Sequence, residues 1–208
     1  MDIEPTKVEE LRNTVKEIYP DWPNVADPHL QEAITRAREL LSEAELRRLL
    51  NAGQYDEIIN RLRQVAQMGK VLFLNGPKQG DLDILQQGTL DRPGFCQALV
   101  DLLYGPGPSP ERLGQYIRYV RGHTLPNRWP FPTYFLFVCH PDTEMVVRPP
   151  NFFRWLIVKH LKIKKWEWFP DPSTYATILE VAQALKVALQ ADGLRDMADV
   201  YTFIRVAA

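Results

Sequence analysis

Apolar residues recur along this chain mostly at the spacing of helix faces. Val8, Leu11, Val15 and Ile18 make one stripe, closed at Tyr19-Pro20. Asp27-Pro28 reads as an N-cap and first helical residue, opening a helix through Leu30, Ile34, Ala37 and Leu41. Ser42-Glu43-Ala44-Glu45 has capping-box order and predicts a short helix that stops at Gly53. Tyr55, Ile58, Ile59, Leu62, Val65 and Ala66 form the next face, and Phe95, Leu99, Leu102 and Leu103 another, ended by Gly105-Pro106-Gly107-Pro108. Ser109-Pro110-Glu111 supplies a cap, a first-turn proline and a first-turn acid. The helix it predicts carries Leu113, Ile117 and Val120 on one side, with Arg112, Arg118 and Arg121 on the turns between.

Two runs are ambiguous by period. Val71 to Leu74 fits a buried strand or a helix end, and Thr133 to Cys139 a buried helix or a strand. Pro149-Pro150 predicts a helix through Phe153, Leu156, Ile157 and His160, and the alternation from Lys162 to Phe169 reads as strand-like or an extended arm. Asp171-Pro172-Ser173 starts a helix bearing Tyr175, Ile178, Leu179, Ala182, Leu185 and Leu189 and ending at Gly193, and a last apolar segment spans Leu194 to Val206. The expected fold is mainly α: a compact multi-helix domain with at most a minor β element.

Length and composition support one domain over 1–208, since 208 residues with 45% apolar content can bury a substantial core. A division into an acidic helical part, 1–88, and a basic-aromatic part, 89–208, stays open. No apolar run reaches the roughly 18 residues of a membrane span. Two cysteines, Cys96 and Cys139, and no signal-peptide pattern fit a cytoplasmic protein whose thiols are small buried hydrophobes.

Charge changes this picture. The chain is net −1, yet from Arg112 to Trp166 it holds ten Lys/Arg against two acids, Asp142 and Glu144, a net of +8 that leaves −9 for the remainder. Aromatic residues run through the same window. Basic side chains neutralise phosphates and aromatic faces stack bases, so an anionic partner, DNA, is expected. The candidate phosphate contacts are Arg148, Arg154, Lys159, Lys162, Lys164, Lys165, Arg118 and Arg121; the candidate stacking residues are Trp129, Trp155 and Trp166. The competing reading is that the basic segment docks on the acidic remainder of its own fold.

Other chemistry finds little footing. Gly76-Pro77-Lys78-Gln79-Gly80 lacks Walker spacing and the Lys-Ser/Thr pair. Cys96, His123, Cys139 and His140 have no paired metal-ligand spacing. The acid pairs Asp81/Asp83 and Asp196/Asp199 read as helix starts or solvated faces. No catalytic residue, metal or cofactor is assigned. An enzymatic alternative, a glycosylase-like protein, would place its acid at Asp142 or Glu144.

One string of residues carries a resemblance. Leu103-Tyr104-Gly105, Ser109-Pro110-Glu111-Arg112-Leu113, Trp129-Pro130-Phe131-Pro132-Thr133-Tyr134, His140-Pro141, Val147-Arg148-Pro149, Tyr175 and Asp196-Met197-Ala198-Asp199-Val200-Tyr201-Thr202-Phe203-Ile204 resemble the N-terminal region of McrB-like AAA+ ATPases/GTPases of bacterial restriction systems. Tyr19-Pro20-Asp21-Trp22 and Asp27-Pro28 fit as well. The resemblance implies a non-enzymatic module that selects modified or specific DNA, including modified cytosine, for an AAA+ motor and a nuclease subunit. The motor would begin where this chain ends. The alternative partner is a protein, contacted through the charged N-terminal helices in an assembly role.

Overall fold

The computed structural model describes residues 5–22, 27–72, 80–148 and 168–207. Within them the chain forms nine α-helices and no strand. We number them α1 (Pro5–Ile18), α2 (Pro28–Leu40), α3 (Glu43–Asn51), α4 (Tyr55–Met68), α5 (Arg92–Tyr104), α6 (Ser109–Gly122), α7 (Pro130–Cys139), α8 (Pro172–Ala188) and α9 (Met197–Ala207). Short 3-10 turns lie at Asp83–Gln86 and Gln190–Asp192. The mainly helical fold expected from the periodicity is what the chain adopts.

The ambiguous run at Thr133 to Cys139 is helix α7, and the reason is tertiary. Every residue from Pro130 to Val138 is buried, so this helix is apolar all round and sits inside the bundle. It packs against α2 and α5, and α5 in turn packs against α3, α4 and α6. On the other side α8 lies against α6 and α9, and α1 closes over α9. Residues on both sides of position 88 therefore share one core, from Leu30, Leu46 and Leu62 to Phe135, Tyr175 and Phe203. Trp22 and Phe203 pack with ring centroids 5.4 Å apart, and Phe137 and Tyr201 at 5.8 Å.

The helix boundaries follow the local chemistry with three differences; the first is that α8 stops at Ala188, and the 3-10 turn Gln190–Asp192 carries the chain on to Gly193. Asp27 caps α2 by accepting from the His29 and Leu30 amides, and Asp171 caps α8 by accepting from the Thr174 amide. Helix α3 ends as expected, with Gly53 at φ 66° and the Gln54 amide donating back to the Leu49 carbonyl. The Ser42 capping box does not close, because Ser42 makes no side-chain cap bond. Glu45 is drawn away by Arg48 and Arg61 at 2.7 and 2.9 Å, and their bonds hold its carboxyl down at about 2. Ser109 is likewise inside α6 and buried, with Pro108 in the cap position. Val71 and Leu72 are buried without forming a strand, and Phe73 and Leu74 lie outside the described residues.

Candidate nucleic-acid interface

Most of the predicted contact set, Arg154, Lys159, Lys162, Lys164, Lys165, Trp155 and Trp166, lies outside the described residues, as does the helix expected after Pro149-Pro150. Four members, Arg118, Arg121, Trp129 and Arg148, are described, and the structure separates them.

Trp129 is 1% exposed and packs 6.4 Å from Tyr175, ring centroid to centroid. Its indole is part of the core, so the expectation that it stacks on a base is corrected. Arg148 donates to the Val71 carbonyl, lies 4.0 Å from Asp81 and acts on the Tyr201 hydroxyl. A guanidinium tied in this way serves the fold, which is the internal-docking reading for this one residue. Arg112 behaves similarly, donating to the Leu103 and Gly105 carbonyls.

Arg118 and Arg121 differ. They stand one turn apart on the exposed side of α6, and neither side chain bonds to or pairs with a described residue. Many other arginines are matched by nearby acids, Arg12 by Glu9, Arg36 by Glu39, Arg47 by Glu43, Arg48 by Glu45 and Arg61 by Glu57, whereas Arg38, exposed on α2, has no acid pair among the described residues either. Helix α6 contains one acid, Glu111, two turns before Arg118. Its positive charge is thus left for solvent or a ligand.

Near these arginines stands Phe169, next in the chain to Trp168, and neither ring is among the stacking residues expected from the sequence. Trp168 is 58% and Phe169 62% exposed, although both are large apolar side chains. Three clefts share Phe169 as a wall. One of about 300 Å³ lies against Arg118 and Arg121, and is closed by Pro170 and Pro172. A second, of about 320 Å³, lies between Trp168 and the segment Asn127 to Pro130. The third, of about 560 Å³, runs past Thr124 and Arg128 to Asp83. Arg128 sits 3.7 Å from Asp83 Oδ2. The signal in the sequence was Trp168-Phe169-Pro170-Asp171-Pro172: two rings just ahead of a capped helix start.

The acid pairs are not solvated faces. Asp83 is buried, and Asp199 is buried with its carboxylate bridging the Arg195 guanidinium at 2.9 and 3.0 Å. Asp196 accepts from the Ala198 and Asp199 amides and so caps α9; burial raises its pKa. Of the two acids proposed for a glycosylase-like reaction, Asp142 is exposed and Glu144 is buried under Tyr175. His140 sets its ring 2.9 Å from the Leu103 carbonyl, edge-on to Tyr104. Burial pushes the Cys96 and Cys139 thiols up to about 12, so neither offers a thiolate near neutrality. Among the described residues no three His, Cys, Asp or Glu side chains converge on a metal-sized site, and no helix is long and apolar enough to cross a membrane.

Comparison with protein-family models, with curated proteins and with solved structures finds no match. The residues that carry the McrB-like resemblance have a structural account of their own. Thr133 receives the Val147 amide, Tyr175 binds Glu144, Asp196 caps α9, and the Met197 amide donates to the Pro141 carbonyl. They hold α7, α8 and α9 to the loop that follows α7.

Proposed function

We propose that this chain is a DNA-recognition module, of the kind that selects specific or modified DNA for a separate McrB-like AAA+ motor and nuclease. The observation that carries the reading is the pair Arg118 and Arg121, with no acid paired to them among the described residues, bordering a cleft that the exposed ring of Phe169 walls. The excess of base over acid between Arg112 and Trp166 supports it from the sequence. In this reading α6 gives phosphate contacts that position the strand, joined by Lys162, Lys164 and Lys165, while the aromatic clefts meet bases. No chemical step is assigned to the chain.

Fluorescence polarisation with duplex DNA, unmodified and carrying methylated or hydroxymethylated cytosine, tests this across a salt series. Binding should weaken steeply with salt, by a slope of about −0.9 for each phosphate neutralised. Reversing the charge of Lys162, Lys164 and Lys165 together should flatten that slope. Unchanged affinity and slope in the triple variant would refute the assignment of those lysines, and a preference for one modified duplex would identify what is selected.

A further inference from the structure

We infer that the surface around Phe169 binds nucleic acid through unpaired bases, so that the preferred ligand of this face is a single strand. The inference rests on the nucleic-acid reading and adds which form of nucleic acid the face takes.

A duplex hides its base faces and offers edges and phosphates, which polar side chains read. A single strand offers π-faces, which exposed aromatic rings take up with little regard to sequence. The face formed by α6 and residues 168–172 shows the second set of features. Phe169 and Trp168 are adjacent and mostly exposed, and the Phe169 ring has no ring partner among the described residues. Pro170, on its C-terminal side, is buried, and Asp171 is fixed as the cap of α8 by accepting from the Thr174 amide, the Thr174 hydroxyl and the Ser173 hydroxyl. The backbone carrying the ring is therefore held in place before any ligand arrives, and stacking on it costs little ordering. All three clefts open beside this one ring, so bases can lie on more than one side of it. Arg118 and Arg121 border the cleft that Phe169 shares with Pro172, where a backbone crossing α6 would pass. Asp171 is the acid at that cleft, and its Oδ2 already accepts three hydrogen bonds.

The test is fluorescence polarisation with labelled oligonucleotides of one sequence, as single-stranded DNA, single-stranded RNA and blunt duplex DNA, at low salt. The single strands should bind at least about tenfold more tightly than the duplex. F169A should weaken single-strand binding by roughly five- to 150-fold, the range for losing one stacked base. Its melting temperature should not move, because the ring lies mostly in solvent. R118E/R121E should reduce the salt slope by about 1.4 on a single strand. Tighter RNA than DNA binding would support the inference and assign RNA as the source of the bases. Duplex binding equal to or tighter than single-strand binding would overturn it while leaving the DNA reading intact, as would F169A binding like the parent protein. Absence of binding to all three ligands would overturn both.

Discussion

The hydroxyl of Tyr175 donates to Glu144 Oε2 at 2.9 Å, joining α8 to the loop after α7 where both residues are buried. The Met145 carbonyl lies 3.1 Å from the same hydroxyl, so one proton serves two acceptors. Removing it strands a buried carboxylate. We expect Y175F to lower stability by about 1.5–3 kcal/mol, the range for a hydrogen bond to a charged group. E144Q keeps an acceptor and should cost less. Urea denaturation of the two variants, with unchanged m-values, checks the order.

Alkali should unfold the protein through its buried tyrosines. Burial first of all raises the pKa of Tyr116, Tyr134 and Tyr175 well above the usual value near 10. These groups stay protonated in the native state while the unfolded chain releases their protons, so stability is complete below about pH 10 and falls above it. Each should contribute a loss approaching about 1.4 kcal/mol per pH unit until its own native pKa is reached. Denaturant midpoints measured from pH 8 to 11.5 should be flat, then drop, and the phenolate absorbance should rise together with unfolding. Titration of these tyrosines in a still-folded protein would contradict their burial.

Gly69 is held between two helices that its own sequence position does not reveal. A Cβ there would lie 2.6 Å from Tyr134 Oη and 3.2 Å from the Ala33 Cβ. Tyr134 cannot retreat cheaply, since its hydroxyl donates to the Val65 carbonyl at 3.0 Å in the core. G69A should therefore destabilise by about 1–3 kcal/mol as an overpacked site, whereas G88A, with nothing within 4 Å of its Cβ, should be close to neutral. Thermal denaturation of the pair decides this.

How far the sequence spoke for itself depended on whether local chemistry or packing decided each feature. Asp27-Pro28 and Asp171-Pro172 were readable because a cap acts within three residues. The state of Thr133 to Cys139 was not, since an apolar run buried on all sides has no period to read, and only its place against α2 and α5 makes it a helix. Counting charge between Arg112 and Trp166 marks a stretch but cannot rank its members. Arg148 and Arg118 look alike in sequence; one is bound to the Val71 carbonyl and the other is exposed on α6. Trp129 and Trp168 are separated by the same test, one buried against Tyr175 of α8 and one 58% exposed. Aromatic rings near basic residues thus define a candidate only after burial has sorted them.

The turn between α6 and α7 stores strain beside these clefts. Thr124 has φ 54°, a left-handed conformation that a β-branched residue rarely adopts. The turn imposes it: the Leu125 amide donates to the Val120 carbonyl at 2.9 Å, closing α6 in the geometry that glycine or asparagine normally supplies. An L-residue in this region costs about 1–2 kcal/mol, and asparagine relieves much of that without glycine's entropic penalty. T124N should therefore stabilise the protein by about 0.5–1 kcal/mol. Thr124 also borders the cleft that runs to Asp83, so the same variant separates two roles for the strain. A gain in melting temperature with oligonucleotide affinity unchanged makes it a folding cost of the turn alone. A gain in stability with weaker binding means that the strained turn is what holds the Asn127–Arg128 side of the cleft in its binding position. No gain in stability would show that the left-handed geometry at Thr124 carries little cost.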